Sequence, residues 1–303
     1  MMHVPKPLSK GDHIRILAPA KRIDATDVQL AKKVLEEAQY RVSISEHCLG
    51  QQGYFSGTLD QRLSDLQQAL NDPSIGAVLC ARGGYGCVQL VDRLDWTTFQ
   101  KHPKWIIGFS DVTVLHGRIQ NLGIASIHGT MPLNFKDHTK ESRETLINAI
   151  SGATYSISAP KSTFNQAGKV KGKLIGGNLA ILASLLGTND QLDYSDAILF
   201  VEEVGEPLYS IDRMFYSLQK AGVLNKIKGL IVGGMTSMKD SEIPYGKPLE
   251  EIILTHTQPL GIPVAFGFPA GHIDDNRALV FGAEAILKVD ASGSEIRFEF
   301  GTM

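Results

Sequence analysis

The first half of the chain repeats one pattern, and that pattern leaves the fold little freedom. A short apolar run ends at a small or polar turn, and apolar residues at helical spacing follow. His13–Ala20 (HIRILAPA) runs up to Pro19, and from Asp24 onward Val28, Ala31, Val34, Leu35 and Ala38 share one helical stripe. The alternation continues through a strand near Tyr40–Ser45, a helix near Leu59–Leu70 and the apolar run Ile75–Ala81. Trp105–Phe109, a helical stretch to Gln120 and a strand near Ile124–His128 complete it. Strands that are apolar at nearly every position are buried on both faces, and parallel neighbours need a crossover, usually helical, between them. The expectation is an α/β fold in which helices cover both faces of a parallel sheet.

The pattern changes after the helix-like Lys140–Gly152. Ala153–Lys171 is rich in Ser, Thr, Pro, Gly and Lys, carries no long period, and reads as a linker. A chain of 303 residues suits two domains of about 150 each. The expected division is 1–160 and 168–303. The second half holds GKLIGGNLAILASLLGT, the strand-like AILFVEEV, a helix near Ile211–Ala221, the strand-like GLIVGG and a helix near Leu249–His256. It closes on a β-rich tail, ALVFGAEAILKVDASGSEIRFEF.

Charge and composition remove several classes of function. Thirty basic against 32 acidic residues give a net charge of −2 with no basic stripe, so a nucleic-acid partner has no electrostatic support. No apolar run reaches the ~18 residues of a membrane span. The opening MMHVPKPLSKGDHIRILAPA lacks the parts of a signal peptide, which makes the cytoplasm the expected compartment. Cys48, Cys80 and Cys87 are odd in number and lack CxxC spacing, so they read as small buried hydrophobes rather than as disulfides or zinc ligands. HExxH is absent, and no metal site is expected.

In open α/β sheets ligands bind beyond the carboxyl ends of the strands, and three segments place polar residues there. In WIIGFSDVT an apolar strand runs into Gly108-Phe109-Ser110-Asp111 and a helix follows. A serine at such a turn stands above the sheet at the positive end of a helix, as in a nucleophile elbow, with the Asp111 N–H placed to stabilise an oxyanion. The second glycine of GxSxG is missing, and a helix cap by Ser110 or Asp111 is the plain alternative. ARGGYG (Ala81–Gly86) follows a neighbouring strand. Its glycines suit a tight turn or a second oxyanion donor better than a nucleotide motif. In ILFVEEVGE, Glu202 and Glu203 end an apolar strand and point to opposite faces; a buried carboxylate there needs a partner, and a solvated strand end is the alternative. Of nine histidines, His272 in GFPAGHIDDN occupies a loop after an apolar strand, and His128 in IHGTMP is its competitor. The order Ser110, Glu202, His272 is that of nucleophile, acid and base in α/β hydrolases.

Together these motifs resemble the serine-type LD-carboxypeptidases, whose close branch is the microcin C self-immunity peptidases. RILAPA, ARGGYG, GFSD, LIGGNL, LFVEEVGEPLYSIDRM and FPAGH occur in the family's order and span roughly residues 14 to 290. The resemblance implies Ser110 as nucleophile, Glu202 rather than Glu203 as acid, and His272 rather than His128 as base. It also implies oxyanion donors at the backbone amides of Gly84 and Asp111, a Rossmann-like N-terminal domain, a smaller β-rich α/β C-terminal domain and a homodimer. The expected reaction releases terminal D-alanine from a murein tetrapeptide in cell-wall recycling, without cofactor. Arg82 and Asn178 are candidates for the peptide's carboxylate. Two alternatives stand beside this reading: an immunity-type peptidase acting on aminoacyl nucleotides, and a non-catalytic sugar- or nucleotide-binding protein. For His272, burial and the Glu202 charge are expected to offset, leaving a pKa of about 6–7.

Overall fold

The computed structural model describes residues 2–299. Strands β1 (His13–Leu17), β2 (Arg41–Ile44), β3 (Ile75–Cys80), β4 (Trp105–Gly108) and β5 (Ser126–His128) form a parallel sheet in the order β2-β1-β3-β4-β5. Helices α1 (Ala25–Glu37), α2 (Leu59–Asn71), α3 (Cys87–Leu90), α4 (Thr97–Lys101) and α5 (Thr113–Asn121) lie in the crossovers. Every residue of β4 is buried, as coverage on both faces requires. Helix α2 starts where its sequence says it should. Thr58 Oγ1 accepts from the Gln61 N–H at 3.1 Å and Gln61 Oε1 accepts from the Thr58 N–H at 2.9 Å, a capping box.

After α6 (Lys140–Ser151) the expected linker is partly strand. β6 (Ser156–Pro160) alternates exposed and buried residues, and β7 (Gly168–Asn178) begins inside the same stretch. Only Ile157 and Ala159 of β6 are buried, too few apolar positions to print a period on the sequence. The remaining elements are α7 (Leu179–Ser184), β8 (Ile198–Val204), α8 (Leu208–Lys220), β9 (Gly229–Thr236), α9 (Leu249–Thr257), β10 (Val264–Ala265), β11 (Leu279–Phe281), β12 (Glu284–Asp290) and β13 (Gly293–Glu299). The second sheet runs β10-β9-β8-β7-β12-β13-β6. It is parallel from β10 to β7 and antiparallel from there to β6.

The halves are interlocked. β6 lies before residue 160 yet pairs with β13 in the second sheet, while β11, from the second half, pairs antiparallel with β5 and closes the first. Leu279, Val280 and Phe281 are fully buried. Phe281 packs against His128 and against Phe200 of β8, so one apolar cluster runs from the first sheet into the second. Shared core of this kind predicts a single unfolding transition. Phe281→Ala should lower stability by about 3–5 kcal/mol in denaturant titration, the usual cost of deleting a buried aromatic ring. A loss under ~1 kcal/mol would show that β11 does not join the halves.

Candidate active site

Phe109 is extended (φ −147°, ψ −172°), and the next residue, Ser110, has φ +63°. The left-handed region is uncommon for a residue with a Cβ, and such strain gathers at functional sites. From Ser110 a short 3-10 turn, Ser110–Val112, leads into α5. Gly108 permits the reversal, since a Cβ there would lie 2.8 Å from Val112 Cγ2. The sequence therefore folds WIIGFSD into a strand, a sharp turn and a helix, with Ser110 at the bend.

β3 lies beside β4, with Leu79 opposite Ile107, so the glycine turn after β3 meets the serine turn after β4. The approach is close. A Cβ on Gly83 would stand 2.9 Å from Ser110 Cβ, 3.1 Å from its Oγ and 3.3 Å from the Asp111 nitrogen. Asp111 locks the two turns together: its buried carboxylate accepts the Cys87 N–H at 2.8 Å. Burial raises the Asp111 pKa against the opposing effect of the Cys87 and Gly86 amides and Arg62. Arg62 holds the other side of the glycine turn. It donates to Pro19 O at 2.9 Å and to Gln89 Oε1 at 2.7 Å, with its guanidinium 4.4 Å from the centre of the Phe55 ring. Sequence reading missed Arg62, although a signal was there: it lies on the same helical stripe as Leu66 and Ala69, where a charge must have buried partners.

Glu202 and Glu203 end β8 on opposite faces, and both are buried. Glu202 Oε2 accepts from His272 Nδ1 at 2.6 Å and from the His272 N–H at 3.2 Å. Gly271 (φ +110°) makes this possible, because a Cβ there would fall 2.7 Å from Glu202 Cβ. With Nδ1 protonated toward the carboxylate, His272 keeps the Nε2 lone pair for accepting a proton. The His272 ring meets Phe109 edge to face at 4.9 Å, which places it beside the residue preceding Ser110. Burial works to lower the His272 pKa. The hydrogen bond and charge of Glu202, with the charge of Glu203, outweigh it and hold the imidazole above its ordinary 6.5. The balance is thus upward, where the sequence led us to expect near-cancellation.

Glu203 has a different use. Its oxygens accept from Asn178 Nδ2 at 2.9 Å and from the Ala180 N–H at 2.7 Å, joining the ends of β7 and β8 at the start of α7. His128 is fully buried among Phe109, Phe200 and Phe281, and burial pushes its pKa well below 6.5. The three cysteines are unpaired and buried. Among the described residues no group of three His, Cys, Asp or Glu side chains could hold a metal ion.

Comparison with known proteins fits this geometry. The profile of the LD-carboxypeptidase N-terminal domain matches residues 14–129, and that of the LD-carboxypeptidase C-terminal domain matches residues 171–287. A Bacillus subtilis protein named probable murein peptide carboxypeptidase is 34% identical over 295 residues, covering 93% of this chain and 91% of its own. The chain belongs to the LD-carboxypeptidase family. The murein tetrapeptide carboxypeptidase of Pseudomonas aeruginosa is 32% identical over 288 residues, covering 91% and 92% of the two chains. The crystal structure of muramoyltetrapeptide carboxypeptidase from Oxalobacter formigenes superposes with a TM-score of 0.87 at 28% identity, over 96% of this chain and all of that one.

Around the strained serine, this LD-carboxypeptidase carries a rim of aromatic and cationic groups. Tyr54 and Tyr85 are exposed, Lys21 Nζ lies 4.8 Å over the Tyr54 ring, and a Cβ on Gly84 (φ +106°) would touch Tyr54 Oη and Lys21. Arg82 donates to Arg22 O at 3.2 Å beside this rim. Asn178 is committed locally: its Oδ1 caps α7 by accepting the Ile181 N–H at 3.2 Å, its Nδ2 binds Glu203, and its N–H donates to Thr113 Oγ1 at 3.0 Å. Of its side-chain donors only the second amide hydrogen is left for a ligand carboxylate.

The raised His272 pKa has a direct kinetic consequence. A histidine serving as base must be neutral, so with His272 proposed in that role kcat/KM should rise with pH through one deprotonation whose midpoint lies above 6.5. Glu202→Gln deletes the charge that favours the imidazolium and should move that midpoint down while lowering the rate. A flat profile between about pH 5 and 8 in the intact protein would remove His272 from the chemistry.

Proposed function

We propose that this LD-carboxypeptidase is a serine peptidase that uses Ser110, Glu202 and His272 to release the terminal D-alanine of a murein tetrapeptide in the cytoplasm, as a homodimer. The observation that carries the reading is the left-handed Ser110 pressed against the Gly83 turn, with a Glu202-backed histidine across Phe109. The relatives named for murein peptides favour the same substrate class.

The chemistry follows from what each group can do. His272 Nε2 takes the Ser110 proton as Oγ bonds to the scissile carbonyl carbon, and Glu202 stabilises the resulting imidazolium. The N–H groups of Gly84 and Asp111 face the developing oxyanion, each worth about 3 kcal/mol. Collapse breaks the C–N bond, and the imidazolium gives its proton to the departing amine of D-alanine. Water then attacks the acyl-serine with His272 again as base, which frees the tripeptide acid and restores Ser110. The proton and charge balance closes without a metal or organic cofactor. Lys21 and Arg82 supply positive charge for the carboxylates that such a peptide carries.

D-alanine release from L-alanyl-γ-D-glutamyl-meso-diaminopimelyl-D-alanine is the test, run beside an aminoacyl sulfamoyl adenylate. The tetrapeptide should be cut and the adenylate left intact. Ser110→Ala should lose at least ~10³-fold in kcat with an unchanged melting temperature. Preferential cleavage of the adenylate would overturn the substrate assignment, and retention of a tenth of the activity by Ser110→Ala would overturn the nucleophile.

A further inference from the structure

Behind the Glu202–His272 pair lie buried polar atoms that no protein group satisfies. The second carboxylate oxygen, Glu202 Oε1, has no hydrogen-bond partner, although Glu202 is fully buried. Asn276 Nδ2 and both ring nitrogens of His128 are in the same position, and both residues are likewise fully buried. Orphaned groups of this kind are rare, since each costs about 1–3 kcal/mol when left unpaired.

The orphans belong to one neighbourhood. Asn276 Oδ1 accepts the Gly271 N–H at 2.7 Å, and Gly271 is the residue that abuts Glu202. Leu279, three residues after Asn276, is the β11 partner of His128 in β5, which brings Asn276 beside that ring. Asn276 lies close enough to His128 to act on its protonation, while no side-chain nitrogen of either residue finds a hydrogen-bond partner. His128 is 5.0 Å from the Phe200 ring, and Phe200 precedes Glu202 by two residues on the same face of β8. Phe109, which touches His272, also touches His128 at 5.6 Å.

One water satisfies three of these four atoms and leaves only the N–H of neutral His128 unpaired. It donates one hydrogen to Glu202 Oε1 and the other to an unprotonated nitrogen of His128, and it accepts from Asn276 Nδ2. Three bonds are the usual complement of a buried water. We propose that His128 and Asn276 are positioning residues for Glu202, acting through an internal water that joins their side chains to the free carboxylate oxygen. The carboxylate is then held at both oxygens, by His272 on one side and by this buried cluster on the other. Neither residue touches substrate.

The inference rests on Ser110, Glu202 and His272 being the catalytic set, and not on which peptide is cut. The test therefore reads the reaction of Ser110 with a fluorophosphonate, which needs the triad but no peptide recognition. His128→Phe suits the aromatic surroundings and Asn276→Leu conserves volume, so at least one folded variant is expected. Each should lower the maximal labelling rate by ~10-fold or more at an unchanged half-saturating probe concentration; Asn276→Leu also deletes the bond to the Gly271 N–H and should lower the melting temperature as well. The double variant should be no slower than the worse single one, because the residues act as a unit. His128→Gln, which retains a polar atom, should recover most of the rate. Wild-type labelling in a folded His128→Phe or Asn276→Leu variant overturns the proposal. So does a loss that His128→Gln shares in full, or one that appears only as weaker probe binding. Failure of the wild-type protein to label would instead count against the catalytic set.

Discussion

The pairing of β11 with β5 is the contact on which the rest of the molecule depends. Ser110 leaves a strand of the first sheet, whereas Glu202 and His272 belong to the second half of the chain. The roles proposed for Ser110 and His272, nucleophile and base on separate units, work only if their separation is fixed to fractions of an ångström. β11 follows the His272 loop by a few residues and is hydrogen-bonded into the first sheet, so that loop is anchored beside β5 and above Phe109. Glycines then let backbones come near enough for chemistry: Gly83 against Ser110, Gly177 against Thr113, Gly271 against Glu202.

Electrostatics makes the second demand. Two adjacent buried carboxylates would be costly if either stood alone. The strand's alternation separates them. Glu203 is bound by amide donors at the start of α7, and Glu202 is left to the imidazole. Both charges still reach His272 and together raise its pKa. Asp111 solves a similar problem beside Ser110, where one buried carboxylate fixes the glycine turn to the serine turn. The site is therefore braced by hydrogen bonds among its own groups at both ends.

Much of this was legible in the sequence because it rests on short-range rules. Apolar runs with helical stripes between them placed the parallel sheet, and GFSD at a strand-to-helix junction placed the elbow. The Glu202–Glu203 alternation predicted opposite faces, but which face meets the histidine depends on a partner 70 residues away, and only the family resemblance chose between them. What stayed hidden was long-range or weakly patterned. β6 carries two buried side chains, β11 is three residues long and pairs with a strand some 150 positions earlier, and the local uses of Arg62, Asp111 and Asn178 depend on which backbone amides and carbonyls come near them.

The central claim is that Ser110 is a nucleophile activated by His272. Mapping a fluorophosphonate adduct by peptide mass spectrometry tests it most directly, with protein labelled at pH 8 and again well below the His272 pKa. The account predicts a single adduct on Ser110, formed rapidly at pH 8 and suppressed in acid. An adduct on any other residue, or equal labelling of Ser110 at both pH values, would contradict it.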